Sequence, residues 1–145
     1  MTLPLWMLIS FAGWTLLVLL AGVGIRRWSL ILAGKAALTN FPGDVPHGSV
    51  AYRRATRAHA NCVENLPVFS AIVLTASVAH IAPVQMGPLT IATMVARIFQ
   101  SSIHMLFPET NFSIGLRFSF FLIQVVAMIA MSILIVTVAL GDVPA

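Results

Sequence analysis

The chain has 145 residues, of which 59% are hydrophobic and only 8% are charged, and its mean hydropathy is +0.99. Soluble domains carry about 25% charged residues, so this composition excludes an ordinary water-soluble fold and indicates a protein that has the lipid bilayer as its solvent. The single cysteine, Cys62, excludes an intramolecular disulfide framework and a cysteine-based metal cluster. The basic excess, 8 residues against 4 acidic ones, implies neither nucleic acid nor a metal.

Four charge-poor stretches are long enough to cross a hydrocarbon core of about 30 Å at about 1.5 Å per residue. They lie at about residues 5–25, 60–81, 87–107 and 118–141. The sequence therefore predicts an all-α membrane protein, with residues 1–145 forming a single integral membrane domain, a four-transmembrane-helix bundle. Because basic residues follow the first stretch rather than precede it, we expect a retained helix and not a cleaved signal peptide.

The basic residues fall mainly in the one long connection, between the first and second spans. They are Arg26, Arg27, Lys35, Arg53, Arg54 and Arg57. Loops rich in lysine and arginine stay in the cytoplasm, so we expect both termini outside and a multi-pass protein of the cell inner membrane. Turn-forming residues at 39–49 predict a break in helical structure. We expect the first helix to continue toward Ala37 and the second to begin near Val50, capped by Ser49.

The second span carries a polar stripe that starts at the membrane surface. At about 100° per residue, one arc of this helix holds Arg53, Arg54, Arg57, Asn61 and Glu64, while His59 and Cys62 point elsewhere. A carboxylate inside a span costs several kcal/mol unless it is paired, so we expect Glu64 to have an arginine partner. Arginines that only anchor a helix at lipid headgroups are the alternative, but that role explains neither Asn61 nor Glu64.

The third and fourth spans carry comparable stripes. One face of the third holds Thr90, Thr93, Arg97, Gln100, Ser101 and His104, opposite the lipid-compatible Ile91, Met94, Val95 and Ile98. On the fourth, Arg117, Phe121, Gln124 and Met128 align. Three stripes that are rich in arginine and contain one acid converge near the same membrane surface. This pattern indicates a site for an anionic ligand.

The run Arg57-Ala-His-Ala-Asn-Cys-Val-Glu64, followed by Asn65-Leu-Pro-Val-Phe69, resembles the signature of the MAPEG family. These are membrane-associated proteins in eicosanoid and glutathione metabolism, and they include microsomal glutathione transferases and prostaglandin E synthase. A weaker likeness covers residues 97–124. The resemblance implies a homotrimer of four-helix subunits that binds glutathione between neighbouring subunits near the cytoplasmic face.

The same resemblance implies site residues. The glutathione contacts would be Arg26 or Arg27, with Arg54, Arg57, Asn61, Glu64 and Arg97, and Arg117 would stabilise the thiolate. Glutathione carries two carboxylates and one ammonium, so several arginines and one glutamate complement its charges. Many catalytic members have a tyrosine seven residues after the arginine of the third helix, where this chain has His104, and a histidine three residues after it, where this chain has Gln100. His104 is either a donor to the thiolate or a helix-packing residue.

The sequence thus predicts an integral membrane glutathione-binding protein, a transferase or peroxidase that acts on lipophilic electrophiles from the bilayer. Arg117, with His104 or Ser101, would stabilise the thiolate. A non-catalytic lipid-binding or scaffold protein of the same family is the alternative, favoured by the absence of the tyrosine and the histidine. A proton-coupled exporter that titrates Glu64 is a third reading, which the arginines around that residue disfavour.

Overall fold

The computed structural model describes residues 1–41 and 47–141, and over those residues it contains helices and no strands. The four long helices are α1 (Leu3–Leu32), α2 (Val50–Val78), α3 (Pro83–Leu106) and α4 (Asn111–Ala139). The prediction of an all-α membrane bundle is confirmed. The predicted break at 39–49 falls partly at 42–46, which lies outside the described residues, and the remainder includes a short 3₁₀ turn at Leu38–Asn40.

Three of these helices, α1, α2 and α4, are long and apolar enough to cross a membrane. The 24 residues of α3 give a length of about 36 Å, which also suffices, but polar residues along one face lower its hydropathy. Those polar residues are largely buried inside the bundle. The fourth crossing therefore stays a prediction.

The helix that carries Arg117 begins earlier than expected. Thr110 and Ser113 form a capping box in which each side chain accepts a hydrogen bond from the other's backbone, at 3.1 and 3.0 Å. This cap starts α4 at Asn111 rather than near Phe118. Arg117 consequently lies within the helix, so its side chain direction is fixed by the periodicity of α4.

Two expectations about the long connection have different outcomes. The side chain of Ser49 accepts a hydrogen bond from the Tyr52 backbone at 3.3 Å, so Ser49 caps α2 as predicted. The first helix, however, ends at Leu32 and does not reach Ala37. Gly34 follows with a φ of +66°, a left-handed conformation that stops helices and that glycine adopts without strain.

A π-helical turn at Val18–Gly24 interrupts α1 where that helix packs against α2. A Cβ added to Gly22 would lie 3.0 Å from the Cβ of Ala55, closer than ordinary packing allows. The glycine therefore permits a close approach of α1 to α2. This contact brings the N-terminal end of α2 against the C-terminal part of α1.

The main core lies among all four helices and includes Phe11, Cys62, Phe69, Met94 and Met131. The expectation that Met94 faces lipid is wrong, because only 7% of its surface is exposed. The reason is that Met94 precedes Arg97 by three residues and Ser101 by seven, so it shares the side of α3 that packs against α1.

Candidate functional site

A cavity of about 330 Å³ opens between α2, α3 and α4. We call it the deep cavity, and its lining residues are Asn61, Glu64, Asn65, Gln100, His104, Ile114, Arg117, Phe118 and Phe121. Polar groups of α2 and α3 form one wall, and apolar side chains of α4 form most of the other. The cavity thus combines charged, amide and aromatic groups within a membrane bundle.

A second cavity, of about 410 Å³, lies toward the N-terminal end of α2. We call it the surface cavity, and it is lined by Val50, Arg53, Arg54, Arg57, His104, Glu109 and Arg117. Four arginines face one glutamate, so its charge favours an anion. His104 and Arg117 line both cavities, so one extended ligand could occupy the two together.

An apolar groove of about 370 Å³ lies between α2 and α4, further into the bundle than the deep cavity. Its lining residues are Val68, Ile72, Val125, Met128, Ile129, Ser132 and Ile133. Val68 and Val125 come about one helical turn after Asn65 and Phe121, the deepest α2 and α4 residues of the deep cavity. Along the α2–α4 cleft, the environment therefore changes from basic to polar to apolar.

Six of the predicted site residues line these cavities. They are Arg54, Arg57, Asn61, Glu64, His104 and Arg117. Glu64 is exposed, whereas Asn61, His104 and Arg117 are half-buried. The side chain of Arg54 also donates a hydrogen bond to the backbone carbonyl of Phe107, the residue that ends α3, so this arginine joins α2 to α3.

The structure does not bring Arg26 or Arg27 to the lining of either cavity. Their guanidinium groups each lie 5.8 Å from the centre of the Tyr52 ring, and Arg27 also donates to the Tyr52 hydroxyl. Within one chain these two arginines join the end of α1 to the start of α2. A contact of either with a ligand in these cavities stays a prediction.

Arg97 also lies away from the lining of both cavities. It is fully buried, at 0% exposure, and its guanidinium carbon is 5.2 Å from the centre of the Phe11 ring on α1. Among the described residues, none of its three side-chain nitrogens has a hydrogen-bond partner. Arg97 therefore lies on the side of α3 that α1 covers, and not on the side that lines the cavities.

Ser101 likewise faces α1. It accepts a hydrogen bond from the indole of Trp14 at 2.7 Å, and its own hydroxyl donates to the Arg97 carbonyl at 2.7 Å. Because Ser101 is buried and does not line the cavities, the structure offers no position from which it could help a thiolate there.

His104 occupies the junction of the two cavities. No hydrogen bond joins it to another of the described residues, and the charges around it include Arg117, Glu109, Arg57 and Arg54. Its ring is accessible to a ligand in either cavity. This favours the interpretation of His104 as a hydrogen-bond donor to a thiolate over its interpretation as a residue that only packs helices.

Several lining residues were missed from sequence. Ile114 and Phe118 lie one turn before and one residue after Arg117, and Glu109 precedes the cap of α4. Had the capping pair Thr110 and Ser113 been recognised, helical periodicity around Arg117 would have identified the first two. Glu109 lies in a connection, and no periodic pattern identifies such a residue.

The described residues contain no group of three or more histidine, cysteine, aspartate or glutamate side chains that could hold a metal ion. The cavity chemistry is that of guanidinium, amide, imidazole and carboxylate groups. These groups bind charged organic ligands through hydrogen bonds and ion pairs.

Comparison with known proteins identifies a protein family. The model of the MAPEG family matches residues 3–137. Neither a curated protein nor a solved structure matches the chain. The family match covers every residue that lines the two cavities and the groove.

Proposed function

This chain belongs to the MAPEG family of membrane proteins of glutathione and eicosanoid metabolism, and from that premise we propose that it binds glutathione in the deep and surface cavities. We propose further that it is a glutathione transferase or peroxidase for lipophilic electrophiles. The observation that carries this proposal is the meeting of Arg57, Asn61 and Glu64 of α2 with His104 and Arg117 across one cleft.

The charges of the cleft complement those of glutathione. Glu64 is a partner for the ammonium group of the tripeptide, and the arginines of the surface cavity are partners for its carboxylates. The deep cavity alone does not offer this set, because Arg117 is the single arginine in its lining. We therefore propose that the tripeptide extends across the junction of the two cavities.

The junction is also where thiolate chemistry would be supported. Arg117 and His104 lie there together, and a guanidinium close to a thiol favours the thiolate form. In a transfer reaction, the glutathione thiol gives up its proton to solvent water and the thiolate sulfur forms a bond to an electrophilic carbon. The leaving group departs with the electron pair of the broken bond.

The apolar groove supports a lipophilic acceptor. It begins about one turn below the deep cavity, and the hydroxyl of Ser132, its only polar side chain, donates to the Met128 carbonyl at 2.9 Å. The groove therefore suits a hydrocarbon chain that enters from the bilayer. Such a chain would place its reactive end close to the deep cavity.

We also propose a homotrimer, oriented with the arginine-rich ends of the helices in the cytoplasm and both termini outside, in the cell inner membrane. Glu64 lies in a helix long and apolar enough to span the membrane and is exposed in the isolated chain. A carboxylate facing lipid is costly, so a neighbouring subunit that covers this side of the cleft would stabilise it. Native mass spectrometry of protein released from nanodiscs should give the mass of three chains, and a monomer would contradict this part of the proposal.

The direct test is equilibrium binding of radiolabelled glutathione to the purified protein in nanodiscs. We expect Arg57→Ala and Glu64→Ala each to weaken binding by at least about tenfold, since a hydrogen bond to a charged group contributes about 1.5–3 kcal/mol. Lys35→Ala is the matched control, because Lys35 is exposed and lies outside both cavities. Wild-type binding that neither cavity variant weakens would contradict the proposal.

One observation favours the alternative, a non-catalytic lipid-binding or scaffold protein. Where many family members have a histidine, Gln100 is instead hydrogen bonded to Gln124, an arrangement that offers no acid–base group. Turnover of chlorodinitrobenzene with glutathione separates the two functions. Glutathione binding without turnover would favour the scaffold.

A further inference from the structure

The side chain of Gln100 presents a hydrogen-bond donor to the deep cavity. Its oxygen is occupied, because it accepts the 2.9 Å hydrogen bond from the Gln124 amide. Its nitrogen donates to none of the described residues, and it is not enclosed by protein atoms. Gln100 is 7% exposed and lines the deep cavity, so its accessible surface includes a free NH₂ group at the cavity wall.

The orientation of this amide is determined by α4. The Gln124 nitrogen donates to the backbone carbonyl of Phe120 at 3.0 Å as well as to Gln100. A carbonyl only accepts hydrogen bonds, so the Gln124 atom that faces it must be the nitrogen, which in turn requires the oxygen of Gln100. Turning both amides over would bring the Gln124 oxygen against the Phe120 oxygen with no hydrogen between them. The NH₂ group of Gln100 is thereby held toward the cavity.

This donor lies between the positions proposed for the thiolate and for the lipophilic acceptor. Gln100 precedes His104 by four residues, so it lies about 6 Å along α3 from the junction of the two cavities. Its partner Gln124 follows Phe121 of the deep cavity by three residues and precedes Met128 of the apolar groove by four. An acyl chain that fills the groove therefore has its reactive end close to the Gln100 amide.

The chemistry of an amide narrows the class of electrophile. A glutamine side chain donates a hydrogen bond but, unlike histidine, does not titrate, so it supplies no proton to a leaving oxygen. It is suited to an electrophile whose oxygen gains negative charge and stays bonded to carbon. Fixed N–H donors that point at a developing oxyanion or enolate lower the barrier of such additions.

We propose that Gln100 selects α,β-unsaturated carbonyl compounds as the lipophilic acceptors, because its Nε2 atom donates a hydrogen bond to their carbonyl oxygen. Gln124 is a positioning residue that acts through Gln100. This inference rests on the proposed glutathione transferase function and names its substrate class. The conjugated carbonyl group would lie between the thiolate at the junction and the amide.

The reaction is then a conjugate addition without a leaving group. The thiolate sulfur forms a bond to the β carbon, the electrons of the carbon–carbon double bond move to the bond between the α carbon and the carbonyl carbon, and the carbonyl π electrons move to oxygen. The hydrogen bond from Gln100 stabilises this enolate oxygen. The α carbon finally takes a proton from water, which balances the proton that the thiol released.

The experiment compares two electrophiles of equal chain length, trans-2-nonenal, which has a conjugated carbonyl group, and 1-iodononane, which has no oxygen. Their kcat/KM values are measured in nanodiscs at saturating glutathione and corrected for the uncatalysed reaction. In Gln100→Met, which keeps the length of the side chain without its amide, we expect kcat/KM for nonenal to fall by about 10²-fold. The value for iodononane should change little.

The control is Ser101→Ala, the neighbouring residue on α3, which faces α1 and lines neither cavity. It should leave the ratio of the two kcat/KM values unchanged. Gln124→Met tests the positioning role, because it frees the Gln100 amide to turn, and we expect this ratio to fall by about tenfold. In the Gln100→Met background, Gln124→Met should not lower the ratio further. Destabilisation of the bundle alone would lower both values together.

Four results overturn the inference. Two are an unchanged ratio in Gln100→Met protein that still conjugates iodononane, and a further fall of the ratio in the double variant. The third is a raised KM for glutathione in Gln100→Met, which would show that the amide contacts the tripeptide. The fourth is a wild type that conjugates iodononane but not nonenal, which leaves the transferase function intact. A wild type that conjugates neither compound contradicts the proposed function itself, so the two failures are distinguishable.

Discussion

The side-chain amide of Gln124 donates a hydrogen bond to the side-chain oxygen of Gln100, with 2.9 Å between nitrogen and oxygen. Both residues are buried, and the same amide also donates to the Phe120 carbonyl at 3.0 Å. The contact joins α3 to α4 at the wall of the deep cavity. It fixes the side chain that stands where many MAPEG proteins have a histidine.

Removal of one member of this pair should destabilise the bundle. In Gln124→Leu the oxygen of Gln100 loses its partner, and we expect the free energy of unfolding to fall by about 1–3 kcal/mol. Replacing both glutamines by leucine should cost less, because neither side chain of the pair then leaves the other's polar group buried without its partner. Unfolding in detergent–denaturant mixtures measures both changes, and equal losses for the single and double variants would contradict this account.

His104 should contribute to turnover and not to glutathione affinity. In His104→Phe the junction of the two cavities loses its imidazole donor, and we expect kcat with chlorodinitrobenzene to fall by about 10²-fold, as for removal of one donor to a developing anion. His104→Tyr supplies a phenol instead and should keep most of the activity. If His104→Phe keeps the wild-type kcat, the prediction is wrong and the histidine serves only in packing.

The apolar groove should determine the affinity for long-chain acceptors. Ile129→Trp fills the groove, so we expect the KM for a long-chain lipophilic electrophile to rise by about tenfold, while glutathione affinity stays unchanged. Val126→Trp is the matched control, because Val126 is exposed on the same helix and does not line the groove. Equal effects of the two tryptophans on KM would indicate that the acceptor binds elsewhere.

Ser101 should act in packing only. Ser101→Ala removes the acceptor of the Trp14 indole, so we expect a loss of about 1 kcal/mol in the free energy of unfolding and unchanged turnover. Thermal unfolding and the conjugation assay measure the two quantities. A fall in turnover at unchanged stability would give the serine a role in the chemistry.

The sequence predicted which residues share a helix face, because helical periodicity depends on the chain alone. Asn61 and Glu64 line one cavity as their spacing required, and Cys62 points into the core. The cap at Ser49 was predictable for the same reason, since capping is a local interaction.

Periodicity does not reveal which neighbour covers a face. Ser101 and Arg97 turn away from the cavity because α1 packs on that side of α3. The π-helical turn at Val18–Gly24 has no signature in hydropathy. These features depend on contacts between distant segments, which spacing in one segment cannot supply.

The central claim is that the cleft between α2 and α4 holds glutathione, and a density map of the protein in nanodiscs with glutathione tests it most directly. We predict tripeptide density across the junction of the two cavities, with its ammonium group within hydrogen-bond distance of Glu64 and its sulfur beside Arg117. A map at saturating glutathione in which a helix or a lipid fills the deep cavity would contradict the claim.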